Sequence, residues 1–183
     1  MQPNAPFVGV LLLPDKIIPS GTSPVTLPNG AEVALIRWHA WTNRARFEVL
    51  DPTGAYELAH GRAEGFLRRD YGLYAPADGT TVLRLRISWL GPSGGSRVTL
   101  PDGRELTAKG NWLARKFAVT AADGSPVARI VPTQSWMSTR PDSYAFELTQ
   151  PVLSPVQAIG LAQFIRAAVK SQRQRDQNRM RTR

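Results

Sequence analysis

Short clusters of basic residues are the side chains in this sequence best suited to binding chemistry. Arg84 and Arg86 are two positions apart, and so are Arg44 and Arg46, which places each pair on one face of a β-strand. Arginine binds phosphate through two parallel hydrogen bonds, although outward arginines on a sheet more often only meet solvent. The predicted lipid- or anion-binding residues are Arg84, Arg86, Arg44, Arg46, Arg115 and Lys116.

The residue types that support catalysis or metal binding do not form a recognisable site. Gly91-Pro92-Ser93-Gly94-Gly95 matches the G-x-S-x-G pattern of α/β-hydrolases, but a strand follows it and both histidines, His39 and His60, precede it. The histidines have no metal-binding spacing, the carboxylates are scattered at turns, and there are no cysteines. The sequence therefore predicts no catalytic residues, no metal site, no cofactor and no enzymatic activity.

The chain is basic, with a formal net charge of +9, and its C-terminal end is the most basic part. Residues 170–183 contain six basic residues and one acidic residue, and 173–183 are predicted to be a disordered tail because they lack apolar periodicity. This composition supports an alternative function, nucleic-acid binding through the tail and the strand arginines. Trp38, Trp41 and Trp112 would then stack on the bases.

Two parts of the sequence repeat the same pattern of strands and turns. The segment 25–30 (VTLPNG) returns as 98–103 (VTLPDG). The repeated parts, about 25–90 and 98–150, alternate apolar and polar residues between turns that contain glycine. This pattern is typical of antiparallel strands joined by hairpins, and we count about twelve strands before residue 150.

The segment 154–170 (SPVQAIGLAQFIRAAVK) is the one strong helix prediction. Ser154 is a suitable N-cap, Pro155 suits the first turn, and the following positions are apolar on nearly every side. The apolar run is shorter than the roughly 20 residues of a membrane span, so we expect burial inside the protein. The predicted fold is mainly β: a single domain (1–172) with a closed barrel of about twelve antiparallel strands in two similar halves, enclosing a hydrophobic C-terminal helix (154–171).

Several short segments also match the pattern of a known superfamily. They are the repeated turn, 103–106 (GREL), 116–119 (KFAV) before Asp123-Gly124, and 142–148 (DSYAFEL) ahead of the apolar helix. Together they resemble the tubby-like β-barrels, and among these the LURP-one-related proteins and the phospholipid scramblases. The resemblance implies a twelve-stranded barrel threaded by the C-terminal helix, without enzymatic activity, which in some relatives binds phosphoinositides or other lipids. Scramblases carry an acidic calcium-binding segment near this helix, which this chain lacks.

The resemblance and the basic residues together favour a non-catalytic cytoplasmic barrel. It would bind anionic lipid headgroups, or an unidentified protein partner, peripherally at a membrane surface and without a transmembrane span. Nucleic-acid binding remains the alternative. Clustered arginines beside exposed apolar loops would support lipid binding, whereas aromatic side chains on the charged face would support nucleic-acid binding.

Overall fold

The computed structural model describes residues 2–14, 21–39, 46–65, 69–88, 95–111, 116–133 and 143–181. These residues form twelve β-strands and one α-helix. The strands and the helix are β1 (Gly9–Pro14), β2 (Thr22–Thr26), β3 (Glu32–Trp38), β4 (Arg46–Leu50), β5 (Glu57–Glu64), β6 (Asp70–Tyr74), β7 (Thr81–Arg86), β8 (Ser96–Thr99), β9 (Glu105–Asn111), β10 (Lys116–Ala121), β11 (Pro126–Thr133), β12 (Ser143–Leu148) and α1 (Pro155–Arg181).

The strands form a closed antiparallel barrel. Every strand pairs with its neighbours in the sequence, and β1 pairs with β12. The closing pair runs from Gly9 opposite Leu148 to Pro14 opposite Ser143. Because closure pairs both edges of the sheet, the backbone hydrogen bonds of the first and last strands are made within the barrel. The predicted fold, a twelve-stranded barrel with a C-terminal helix, is confirmed.

The sequence repeat corresponds to equivalent hairpins in the two halves of the barrel. In the β2–β3 and β8–β9 turns, the N–H groups of Leu27 and Leu100 each donate to the carbonyl four residues later, both at 2.9 Å. Gly30 and Gly103 occupy the same position in these turns, with φ angles of 86° and 83°. Side chains other than glycine rarely adopt this conformation, so the glycine after Pro-Asn or Pro-Asp is what permits the tight turn.

The helix begins at a capping box formed by Ser154 and Gln157. The Gln157 N–H donates to Ser154 Oγ at 3.2 Å, and the Ser154 N–H donates to Gln157 Oε1 at 2.9 Å. Gln157 Nε2 also donates to the carbonyl of Val82 at 3.0 Å, next to the first residue of β7. These bonds fix the start of α1 at one end of the barrel, which we call the entry end.

Apolar side chains of the helix fill the barrel interior. Leu161 has no exposed surface, and Phe164 is 1% exposed with its ring centroid 5.3 Å from that of Phe47. Gly160 permits a close approach to β6, since a Cβ there would lie 2.6 Å from Leu73 Cδ2. The helix is therefore the central part of the hydrophobic core, as the sequence predicts.

Two polar side chains hold the other end of the buried helix, at what we call the exit end. Gln163 is only 2% exposed, and its Oε1 accepts a hydrogen bond from Trp38 Nε1 at 3.2 Å. Arg166 Nη1 donates to the carbonyl of Pro14 at 3.2 Å. Trp38 and Pro14 are the last residues of β3 and β1, so both contacts lie at the mouth of the barrel.

The helix is longer than predicted. It continues past residue 171 to Arg181, and it includes most of the segment 173–183 that was predicted to be disordered. Gln, Arg and Met are good helix formers, and a helix already nucleated inside the barrel can extend at little cost. Within the described ranges, no helical segment combines membrane-spanning length with sufficient hydropathy.

Truncation after Gln172 is expected to leave the thermal unfolding midpoint nearly unchanged. Val169 is buried, but Lys170 is exposed and Met180, near the end of the helix, is 73% exposed. Little apolar surface is therefore lost when the extension is removed. Calorimetry of the full and truncated chains checks this, and a large drop in the midpoint would show that the extension packs against the barrel.

Candidate anion site on the barrel wall

The structure places the predicted anion-binding residues on different sides of the barrel. Arg46 begins β4 and Lys116 begins β10, six strands away in a closed ring of twelve, so the two side chains lie on opposite walls. Arg84 and Arg86 lie between them on β7. All four are exposed, whereas Arg44 and Arg115 lie outside the described residues. The four described residues therefore do not all lie together, since Lys116 is on the wall opposite Arg46.

One transverse row on the outer wall does bring three arginines together. The strand register places Arg46 of β4 opposite Arg62 of β5, Arg62 opposite Gly72 of β6, and Gly72 opposite Arg84 of β7. With about 4.8 Å between neighbouring strands, the row spans about 15 Å. All three arginines are exposed. We call Arg46, Arg62 and Arg84 the arginine row.

Ion pairing distinguishes the arginine row from other arginines of the outer surface. Five of those are paired with a carboxylate: Arg37–Glu48 (3.2 Å), Arg86–Asp70 (3.5 Å), Arg97–Glu105 (3.4 Å), Arg104–Asp102 (2.6 Å) and Arg129–Glu147. Across the described ranges, no carboxylate lies within the 4.0 Å ion-pair distance of a guanidinium nitrogen of the row. Arg86, although predicted together with Arg84, is neutralised by Asp70. The three arginines of the row are therefore exposed cations that form no ion pair with a described carboxylate.

The arrangement of the row costs stability in the absence of an anion. Arg46 and Arg62 lie directly opposite each other on paired strands, and like charges in that position destabilise a sheet. An anion bound between the guanidinium groups would remove this repulsion. Each guanidinium could also donate two parallel hydrogen bonds to phosphate oxygens. The row is therefore chemically suited to an external phosphate or carboxylate.

Tyr74 occupies the gap in the row between Arg62 and Arg84. A Cβ at position 72 would overlap the Tyr74 hydroxyl, so the phenol end lies directly over Gly72. The Arg62 Cζ atom lies 4.8 Å from the centroid of the Tyr74 ring, and the His60 ring centroid lies 5.7 Å from it. The cation–π contact orients the Arg62 guanidinium above an aromatic surface.

The two histidines contact glutamates on the same wall. His39 Nε2 lies 2.8 Å from Glu48 Oε1, and His60 Nδ1 lies 2.8 Å from Glu57 Oε1. Both glutamates are thus engaged by neighbours other than the arginine row. In the part of the chain that the structure describes, no three His, Asp or Glu side chains are grouped to hold a metal ion. Ser93 of the G-x-S-x-G segment lies outside that part.

Acidic residues are concentrated in the hairpin turns at the entry end. The N–H of Ser125 donates to Asp123 and holds the pKa of its carboxyl below the ordinary value, and the N–H of Arg104 lowers the pKa of Asp102 in the same way. The Thr53 hydroxyl is the main group that lowers the pKa of Asp51, and the Thr80 N–H is the main group that lowers the pKa of Asp78. All four carboxyl groups are ionised at neutral pH. Arg104 pairs with Asp102, and the other three give the hairpin turns of the entry end negative charge.

Trp38 is not placed where the nucleic-acid hypothesis needs it. Its ring centroid lies 5.3 Å from that of Phe47, and its Nε1 donates to the buried Gln163. The ring is therefore part of the interior at the exit end and is not a platform on the charged outer wall. Trp41 and Trp112, the other two predicted stacking residues, lie outside the described residues.

Arg62 and Tyr74 were not among the predicted site residues. Arg62 stands alone between small residues, so no local pattern singles it out. Its position opposite Arg46 depends on the β4–β5 register, which shifts between Val49 and Leu50. The hairpin at Asp51 alone indicates that Arg46 and Arg62 lie near each other. The register shift determines whether they are directly opposite.

Comparison with known structures identifies the architecture. The chain is similar to the X-ray structure of an Arabidopsis thaliana protein, AT5G01750, with a TM-score of 0.64. The barrel fold is a known one. The two sequences are 14% identical, and the similarity covers 91% of this chain and 94% of the plant protein. At this identity the likeness concerns the fold alone. No protein-family profile and no curated protein matches the sequence.

Proposed function

We propose that this protein is a non-catalytic, tubby-like barrel that binds phosphate-bearing headgroups of anionic lipids at a membrane surface. The arginine row is the observation that carries the proposal. Its three exposed arginines lie in one register row, and their guanidinium groups have no carboxylate partner within the described ranges. Planar guanidinium groups match the oxygens of a phosphate better than ammonium groups do, which favours a phosphate headgroup as the ligand.

The charge distribution of the described residues indicates which end of the barrel would face a membrane. Arg46 begins β4 at the exit end, and the helix leaves the barrel at that end and continues through a basic segment to Arg181. The ionised turn residues Asp51, Asp78 and Asp123 lie at the entry end. An anionic surface would attract the exit half and repel the entry end. The barrel would therefore approach the membrane with the arginine row on the near side.

The sequence resemblance gives a second line of support. Some LURP-one-related and scramblase-like proteins bind lipids, and the structure of this chain has the closed barrel and central helix that the resemblance implies. A chain of 183 residues without cysteine is compatible with the reducing cytoplasm, where we place the protein as a peripheral membrane-binding module.

The chain truncated after Gln172 is expected to co-sediment with vesicles that contain phosphatidate or phosphatidylserine, and not with phosphatidylcholine vesicles. Binding should weaken steeply with salt, because the screening length falls from about 10 Å at 0.1 M to about 3 Å at 1 M. Binding by the full chain alone would assign the interaction to the helix extension. If the truncated chain ignores anionic vesicles but binds single-stranded DNA, the lipid proposal is wrong.

A further inference from the structure

The two histidines of the chain flank the arginine row. His39 follows the last residue of β3, and its N–H donates to the carbonyl of Arg46, the first residue of the row, at 3.0 Å. His60 lies two residues before Arg62 on β5, so both side chains are on the outer face of the barrel. The His60 ring centroid and the Arg62 Cζ atom lie 5.7 Å and 4.8 Å from the centroid of the same Tyr74 ring. A charge on either imidazole is therefore next to the row.

Each imidazole contacts one carboxylate and remains open to solvent. His39 Nε2 lies 2.8 Å from Glu48 Oε1, and His60 Nδ1 lies 2.8 Å from Glu57 Oε1. Glu48 also accepts a hydrogen bond from Arg37 at 3.2 Å. The His39 and His60 side chains are 35% and 25% exposed. The contacts hold both rings on the outer wall, where protons from the solvent can reach them.

The charges that surround the two histidines nearly cancel one another. Among the described residues, the outward-facing charged side chains around the histidines and the row are Arg37 of β3, Arg46 and Glu48 of β4, Glu57, Arg62 and Glu64 of β5, Asp70 of β6, and Arg84 and Arg86 of β7. The β6 strand also contributes the phenol of Tyr74, opposite His60. Five arginines and four carboxylates give this part of the wall a net charge of +1 with neutral histidines, and protonation of both histidines raises it to +3.

We propose that His39 and His60 strengthen lipid binding at the arginine row when the pH falls. This inference rests on the proposed function of the row. Histidine is the side-chain type whose charge ordinarily changes between about pH 5 and 8. The chain has two histidines and no cysteine, so no other side chain ordinarily changes its charge in that range. Each added cation beside the row should increase the affinity for an anionic membrane about fivefold.

Co-sedimentation of the full chain with vesicles of phosphatidylglycerol in phosphatidylcholine, at about pH 7.5 and about pH 5.5, tests the inference. Phosphatidylglycerol keeps its single negative charge over this range, so the protein alone changes charge. We expect the Kd to fall about tenfold or more between the higher and the lower pH. In the double variant His39→Gln, His60→Gln, the two Kd values should be nearly equal. Glutamine does not titrate, and its amide can still donate to the neighbouring glutamate, so the variant removes the charge and retains the contact.

The controls separate the role of the histidines from the function of the row. Equal Kd values for the unmodified chain, or a pH response that survives in the double variant, would overturn the role of the histidines and leave lipid binding intact. The absence of binding at both pH values would overturn the proposed function itself. Binding to pure phosphatidylcholine vesicles at about pH 5.5 would show that acid exposes an apolar surface, and it would contradict a response that depends on charge. Thermal unfolding of both chains at each pH checks that the folded state is the one compared.

Discussion

Leu161→Asp is expected to prevent the chain from folding. Leu161 lies in the middle of the buried part of α1 and has no exposed surface. A carboxylate at this position would be enclosed by the barrel without a positive partner. The cost of burying such a charge is several kcal/mol, comparable to a typical folding free energy of about 5–15 kcal/mol. Soluble yield and far-ultraviolet circular dichroism measure the effect.

Two further substitutions give the scale for this result. Leu161→Ala only creates a cavity and should cost about 2–5 kcal/mol. Arg166→Ala removes a hydrogen bond to the carbonyl of Pro14 from a side chain at the mouth of the barrel, so its cost should be far smaller, on the order of 1 kcal/mol. Recovery of soluble, folded Leu161→Asp protein in ordinary yield would mean that the helix is not the core of this fold.

Replacement of Arg46, Arg62 and Arg84 together by alanine is expected to weaken binding to anionic vesicles about a hundredfold. A basic residue near an anionic membrane surface contributes about 1 kcal/mol, so the loss of three amounts to roughly 3 kcal/mol. The thermal midpoint should change little, because the relief of the repulsion between Arg46 and Arg62 offsets the loss of the cation–π contact between Arg62 and Tyr74. Vesicle co-sedimentation and calorimetry measure the two quantities.

A matched triple variant distinguishes the row from net charge. Arg97, Arg104 and Arg129 are also exposed on the outer surface, but each is paired with a carboxylate. Their replacement by alanine changes the net charge by the same amount and should affect vesicle binding much less. If the two triple variants lose the same affinity, the protein responds to overall charge and the arginine row has no special role.

The fold could be predicted because its determinants are local in the sequence. The alternation of Leu83 and Leu85 with Arg84 and Arg86 specifies which face of β7 is buried, and the structure has both leucines inside and both arginines outside. Ser154 and the apolar residues that follow specify a helix that must be enclosed. Periodicity and capping depend on neighbouring residues, so one sequence is enough to read them.

The arginine row could be predicted only in part, because it depends on pairing between strands. Arg46 and Arg84 were among the predicted residues, but Arg62 joins them only through the register of β4, β5 and β6. Ion pairing is equally non-local: Asp70 and Arg86 are distant in sequence and meet across β6 and β7. Gln163 is another residue whose environment depends on a distant part of the chain. Its polar side chain would be expected to face solvent, but it is buried and accepts a hydrogen bond from Trp38.

Arginine Nε–H resonances of the ¹⁵N-labelled protein, followed during titration with a short-chain soluble phosphatidate, locate the bound anion directly. A guanidinium that gains a phosphate partner changes its hydrogen bonding, and its Nε–H signal should shift. We expect saturable shifts for Arg46, Arg62 and Arg84, and unchanged signals for the ion-paired Arg97 and Arg104. Shifts confined to the arginines of the helix extension, or spread equally over paired and row arginines, would contradict an anion site on the barrel wall.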